Sequence, residues 1–243
     1  MEEIKVALHM HTVYSDGSGT HAELAQDGLK AGIDAIIVTD HNVWVQEMEG
    51  YTRQGKKKVL LLVGEEIHDQ TRKVGGNHLL VMGHNRELAR FASKPQTLID
   101  QVRASGGLSF IAHPFDDPLP MFKEDSFDWV DWDVSGFNGI ELWNQMSEFK
   151  TRSGTLPKAA LHAFLPQFMG LGPLERTLAL WDELMVTRKT PIVAVAGVDA
   201  HRLHKQVGPL KITLYPYEFQ FRSFNNHLLL PGPLTGELNA DKA

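Results

Sequence analysis

The sequence predicts an α/β fold, parallel strands and helices wound into one (β/α) barrel, and three observations carry that prediction. Apolar runs of strand length alternate with amphipathic helical patterns, as parallel strands covered on both faces require. Those runs end repeatedly in His, Asp or Glu, and in such folds ligands bind outside the carboxyl ends of the strands. The 243 residues match the length of a single barrel, so one domain is expected over 1–243. Its donor motifs span 9–201, and 208–243 form a carboxy-terminal extension.

The elements follow in chain order. Ile4-Lys5-Val6-Ala7-Leu8 opens as a strand and leads into His9-Met10-His11 and Ser15-Asp16-Gly17. Thr20 and Glu23 have capping-box spacing ahead of a helix that Gly32 stops. Asp34 to Thr39 is a buried strand ending in Asp40-His41-Asn42, and Val43 to Lys58 reads as a polar helical segment. Val59 to Val63 is the next strand, ending in Gly64-Glu65-Glu66. In Asn77-His78-Leu79-Leu80-Val81-Met82 the donor lies at the opening of the run instead. Pro95 suits the first turn of a helix that runs to Gly106-Gly107, and Leu108 to Ala112 is a strand ending in His113-Pro114. Phe115 to Gly136 reads as a long loop over the site. Gly139 to Asn144 is a short strand with Glu141 and Asn144 as polar exceptions, read as surface alternation. Residues 150 to 173 show no clear period, whereas 174 to 188 have helical spacing, with Trp181 and Met185 expected in the core. Pro191 to Gly197 is the last strongly buried strand and runs into Asp199-Ala200-His201. Residues 210 to 230 suggest one or two further strands, and 235 to 243 a frayed end.

Composition narrows the function. The net charge of −6 disfavours wrapping extended nucleic acid or lying on an anionic membrane. No apolar run approaches the ~20 residues that span a bilayer, so a cytoplasmic protein is expected. With no cysteine, any metal must be held by imidazole and carboxylate. Oligomeric state leaves no legible trace.

Two histidines two residues apart on a strand present both rings to one side, and the glycine turn after them returns Asp16 toward the same place. Nitrogen and carboxylate donors meeting this way suit Zn²⁺, Mn²⁺ or Fe²⁺. In a closed barrel the first and last strands are neighbours, which sets His9 and His11 beside Asp199 and His201. His41, Glu66 and His113 come from intervening strand ends on the same face, at the carboxy-terminal rim.

Together His9-x-His11 with Ser15-Asp16-Gly17, Thr39-Asp40-His41, Gly64-x-Glu66, Ala112-His113-Pro114 and Gly197-x-Asp199-Ala200-His201 resemble the PHP (polymerase and histidinol phosphatase) domain family. The resemblance implies a distorted (β/α)7 TIM-like barrel, two or three divalent ions, and phosphoesterase activity. It implies that His9, His11, Glu66 and Asp199 hold a first ion, with Asp16, His41 and His201 around a second. Glu66 would bridge to a third that His78 and His113 complete. Between Glu65 and Glu66, the Gly-x-Glu pattern selects Glu66.

The implied reaction is hydrolysis of a small phosphorylated metabolite or nucleotide by a water shared between two ions. Asp199 is the candidate proton acceptor and His201 the aid to the leaving group, while Asp40 orients a ligand or acts directly. Arg202 is the candidate for phosphate recognition, with Lys73 and Lys158 behind it and His204 and His68 as further substrate contacts. His21 and His84 read as surface residues, and His162 and His227 as packing or capping. Two other readings stand beside this one: a 3'-5' exonuclease acting on short single-stranded ends, and a non-catalytic scaffold with a degenerate metal site.

Overall fold

The computed structural model describes residues 1–72, 76–165, 168–169, 172–188, 190–207 and 209–234. The chain runs β1 (Glu2–Leu8), α1 (His21–Ala31), β2 (Ala35–Val38), β3 (Gly50–Gln54), β4 (Lys57–Ile67), β5 (Leu79–Met82), α2 (Pro95–Ala104), β6 (Leu108–Ile111) and β7 (Gly139–Asn144). It continues through α3 (Gln145–Arg152), α4 (Leu156–Phe164), α5 (Glu175–Thr187), β8 (Val193–Gly197), β9 (Leu203–Val207), β10 (Leu210–Leu214), α6 (Tyr217–Ser223) and β11 (Asn226–Leu230). The class is mixed α/β, as expected. Among the described residues no helix is long and apolar enough to cross a membrane. The chain divides into two compact units, one of Met1–Glu65 with the chain from Gly197 onward, the other of Glu66–Ala196.

In the first unit the strands lie in the order β11-β1-β2-β4, with β3 on β4. β1 pairs parallel with β2 and β2 with β4, while β11 joins β1 antiparallel. The expected helix over 43–58 is instead the hairpin β3–β4, antiparallel from Gly50 to Gln54 and turned at Gly55 with φ +60°. A glycine in left-handed backbone is what such a tight return needs, and it outweighed the polar composition. α1 begins as predicted: Thr20 accepts from the Glu23 amide at 3.3 Å and the Glu23 carboxylate accepts from the Thr20 amide at 2.8 Å. Its Leu24 and Leu29 pack with Ile36, Val38, Tyr217 and Phe221 in one buried cluster. α6, which supplies the last two, lies between β10 and β11, the two further strands expected over 210–230. The two chain ends meet through a parallel bridge between Met10 and Ala200, with the Val198 amide on the Leu8 carbonyl at 2.9 Å and the His11 amide on that of Ala200 at 2.9 Å.

In the second unit the order is β5-β6-β7-β8. β6 and β7 are parallel, but β5 runs antiparallel to β6 from Leu79↔Ile111 to Met82↔Leu108, against the all-parallel expectation. A short apolar run reports burial and says nothing of direction. At Gly139 a Cβ would run into the Val193 carbonyl, which is why β7 can lie so close to β8. α2 starts at Pro95 and buries Leu98, Ile99 and Val102, as its pattern requires. The stretch 150–173, where no period was legible, holds the end of α3 and all of α4. Trp181 donates from Nε1 to the Ile192 carbonyl at 2.9 Å, whereas Met185, expected in the core, is 47% exposed.

Candidate metal centre

β1 stops at Leu8, and His9 turns into left-handed backbone at φ +69°. The pairing of His9 with His11 is therefore made by a twist at the strand end and not by strand alternation. On the facing segment Asp199 makes the same turn at φ +49°. Its Oδ1 lies 3.5 Å from His9 Nε2 and 3.2 Å from His11 Nε2. Asp16 Oδ1 lies 3.2 Å from His201 Nε2 and 3.8 Å from His11 Nδ1, and its Oδ2 lies 3.5 Å from His41 Nε2. The ring of His11 stacks between those of His41 and His201, each 4.3 Å away. Ligand atoms from His11, Asp16, His41 and His201 all lie within 4.8 Å of one another. His9 and His11 are fully buried, but the Asp16 side chain is 56% exposed, so the cluster opens on Asp16's side.

The backbone around these donors is pinned. Asp40, 1% exposed, accepts from the Thr12 amide at 2.7 Å, from Thr12 Oγ1 at 2.7 Å and from Ser15 Oγ at 2.6 Å. It thus holds the turn that presents Asp16. The buried Tyr217 hydroxyl donates to the His11 carbonyl at 2.7 Å, lies 3.2 Å from that of His201 and accepts from the Gly19 amide at 3.2 Å. A Cβ on Gly17 would collide with the His11 carbonyl, so the turn needs glycine there. His201 Nδ1 is 2.9 Å from the Asp199 carbonyl, which can only accept. The proton therefore sits on Nδ1 and Nε2 is left to face Asp16.

Burial pushes the Asp16 carboxyl up, but hydrogen bonds from His201 and His41 outweigh it and hold the group well below the usual carboxylate range. For Asp199 burial acts the same way and is overcome by His9, His11 and His201. Burial lowers His201, yet Asp16 and Asp199 raise it overall. Both carboxylates are thus ionised at neutral pH, the form in which they ligate.

A smaller group lies in the second unit. Glu66 Oε1, 1% exposed, is 2.7 Å from His78 Nδ1 and 3.0 Å from His113 Nε2. Burial lowers His113, but Glu66 together with Asp116 and Glu141 pushes it up to about 9. Burial wins at His78 and takes it down, since Glu66 is shared and a charged His113 stands beside it. His113 has φ +23°, and its amide donates to Glu141 Oε2 at 2.8 Å, which also accepts from Asn144 Nδ2 at 2.9 Å. Glu141 and Asn144 are buried, not surface alternation, and they fix the end of β6. The loop after His113 does reach this group: the Phe127 ring lies 5.3 Å from that of His78, and the His68 ring stacks on that of His78 at 4.3 Å.

Of the remaining expected site residues, Arg202 donates to Ser18 Oγ at 3.0 Å, the Ser18 carbonyl at 2.6 Å and Glu23 Oε1 at 3.2 Å. Its guanidinium is engaged in tying the 18–23 loop. His204 is exposed on β9 with Nδ1 3.1 Å from Thr213 Oγ1, Lys158 is exposed on α4, and Lys73 lies outside the described residues. His21 and His84, expected on the surface, are 5% and 6% exposed. His162 is buried against Ser153, and His227 is exposed beside Glu3. Tyr217 and the clamping role of Asp40 escaped the sequence. The one available signal for Tyr217 was an aromatic pair, Tyr217 and Phe221, at helical spacing.

Imidazole nitrogen and ionised carboxylate, with candidate ligand atoms already clustered, fit a divalent cation. Residues 7–106 match a family model described as PHP domain. Over 152 residues the chain is 25% identical to the uncharacterized protein MJ1587 of Methanocaldococcus jannaschii, covering 58% of this chain and 82% of that protein. Among solved structures, it is similar to a two-domain protein of Bacteroides vulgatus containing a predicted PHP-like metal-dependent phosphoesterase. That match has a TM-score of 0.48 and 16% identity, covering 82% of this chain and 52% of the other, so this chain spans about half its length. PsfC from Pseudomonas syringae matches with a TM-score of 0.46 and 15% identity over 95% of this chain and 93% of the other. The resemblance carried by the motifs thus agrees with the family comparison: residues 7–106 of this chain match the PHP domain family.

Proposed function

We propose that this protein is a metal-dependent phosphoesterase that hydrolyses a small phosphorylated metabolite or nucleotide, with zinc, manganese or iron as its ions. The observation that carries the reading is the convergence of His11, Asp16, His41 and His201 within 4.8 Å of one another, although the chain supplies them from opposite ends. His9, His11 and Asp199 would hold one ion, Asp16, His41 and His201 another, and Glu66, His78 and His113 a further one in their own unit. Bound there, such ions supply Lewis acidity, acidifying water and offsetting charge on phosphoryl oxygens.

Phosphoryl transfer gains most from positioning and electrostatics, so the chain's task is to hold groups still. Asp40 and Tyr217 do this for the backbone at 11–16 and 201. The opening beside Asp16 is where a phosphoryl group would enter. Asp199 Oδ1, ionised and 3.2 Å from His11 Nε2, is the site that takes up a proton from the attacking water. His201, its Nδ1–H donating to the Asp199 carbonyl, turns Nε2 toward Asp16, where it would aid the departing oxygen by holding an ion there.

The test is elemental analysis of the purified protein, followed by turnover of phosphomonoesters, nucleoside monophosphates and a labelled single-stranded oligonucleotide with Mn²⁺, Zn²⁺ or Fe²⁺ supplied. His11→Ala and Asp199→Ala should each abolish turnover while the circular dichroism stays that of a folded chain. Full activity in either variant refutes the site, and preferential degradation of the oligonucleotide favours the exonuclease reading. A protein that binds no metal and turns nothing over is a scaffold.

A further inference from the structure

Val13 and Tyr14 stand between His11 and Asp16 and are 55% and 51% exposed. Single exposed apolar groups are ordinary on a surface. Here, however, the loop that carries them is fastened. The Val13 amide donates to the Gly19 carbonyl at 2.9 Å, the Tyr14 amide to Thr12 Oγ1 at 3.2 Å, and the Gly17 amide to the Thr12 carbonyl at 3.0 Å. An aromatic ring is thus held half in solvent on a rigid turn, which costs little conformational entropy when a ligand meets it.

One side of the ring is already occupied. His21 meets it edge-on with ring centroids 5.5 Å apart. His21 is 5% exposed, its ring nitrogens have no hydrogen-bond partner among the described residues, and its Nε2 is 4.0 Å from Asp40 Oδ2. The histidine thus stands against one side of the Tyr14 ring, while the residue stays half exposed. The donor cluster opens on this same loop, at Asp16, and two residues of chain span at most about 7 Å. A phosphoryl group at Asp16 would thus have the Tyr14 ring within reach of its organic part.

We propose that Tyr14 is the specificity-determining residue of the site, stacking on a planar ring in the substrate, so that the preferred substrates are nucleoside or aryl phosphates. The inference rests on the phosphoesterase reading for the phosphoryl end only. Calorimetric titration of the metal-loaded protein with adenosine monophosphate and with inorganic phosphate tests it, alongside turnover of adenosine monophosphate and glycerol phosphate. In Tyr14→Ala the ratio of the two affinities should fall roughly 3- to 10-fold, the scale of one aromatic contact, and in Tyr14→Phe it should stay at the wild-type value. An unchanged ratio in Tyr14→Ala, or a parallel weakening of both ligands, overturns the proposal. If the wild type hydrolyses phosphoesters but binds adenosine monophosphate no more tightly than phosphate, Tyr14 is overturned and the phosphoesterase reading survives. If it hydrolyses none yet the ratio still falls in Tyr14→Ala, the reverse holds, and if it binds neither ligand both fall.

Discussion

Replacing Tyr217 by Phe isolates one oxygen atom. The ring is fully buried and stacked on Phe221 at 6.1 Å, and both contacts survive the change, so the apolar burial is the same in both proteins. What is lost is a hydroxyl that links the backbone at three places, the carbonyls of His11 and His201 and the amide of Gly19. Burial drives its pKa up to about 12, so it stays a neutral hydrogen-bond group at any ordinary pH. Stranding a buried backbone donor or acceptor costs about 1–3 kcal/mol, and phenylalanine offers no oxygen to accept from the Gly19 amide. Urea unfolding of Tyr217→Phe should therefore show a loss of about 1–3 kcal/mol with an unchanged m-value. Because both tethered carbonyls belong to donor residues, metal affinity measured by competition with a chelator should weaken in the same variant. A stability within about 0.5 kcal/mol of wild type, the level of an ordinary surface change, together with unaltered metal affinity would refute the anchoring argument.

Asp40→Ala removes the acceptor of two hydrogen bonds from Thr12 and one from Ser15, so the turn carrying Asp16 loosens. The variant should remain folded but retain less metal by elemental analysis, and Asp40→Asn should lie between it and wild type; equal metal content in all three would exclude the clamp. Acid stability of the metal-free protein follows from Asp199, whose folded pKa lies below its unfolded 3.8. That contribution is present above about pH 4 and is lost as pH falls, so the melting temperature in chelator should drop below pH 4, less steeply in Asp199→Asn. His113 has the opposite sign. Raised from 6.5 to about 9, it stabilises most below pH 6.5 and loses that contribution as pH rises through 9. The melting-temperature difference between wild type and His113→Gln should therefore shrink over that interval, and a constant difference would contradict the Glu66 pairing.

The strands and helices with strong periodicity were legible in the sequence: α1 from its capping box, α2 from Pro95, and β2 and β4 as continuous apolar runs. The candidate donors that the structure clusters, His11, Asp16, His41 and His201, could be picked out as well, because His and Asp at the ends of apolar runs have few bland explanations when they recur. The failures share a cause in that local composition does not encode direction or partner. β5 reads the same whichever way it runs, and the β3–β4 hairpin hides in a polar stretch whose one decisive residue is Gly55. Glu141 looked like surface alternation because burial of a charge depends on the His113 amide and Asn144 that satisfy it, residues three and twenty-eight positions away in the chain. Tyr217 was invisible for the same reason, since its three partners are backbone atoms of distant segments.

His9, His113 and Asp199, three of the residues with the best claim to ligate, all sit in left-handed backbone, at φ +69°, +23° and +49°. For side chains without a glycine's freedom such conformations cost of order 1–3 kcal/mol each, and they persist only where surrounding contacts over-determine them. Those contacts are present. The Ala200 amide takes the His9 carbonyl at 3.2 Å and the Val198 amide takes that of Leu8, which brackets both His9 and Asp199, while Glu141 holds the His113 amide. A regular strand would carry its next side chain to the far face of the sheet. The left-handed step breaks that alternation at the strand end and turns the donor toward its partners. The strain is thus the means by which residues that β periodicity would turn away are made to face the partners within their own unit, and it explains why sequence spacing found the candidate donors while misidentifying the geometry that gathers them.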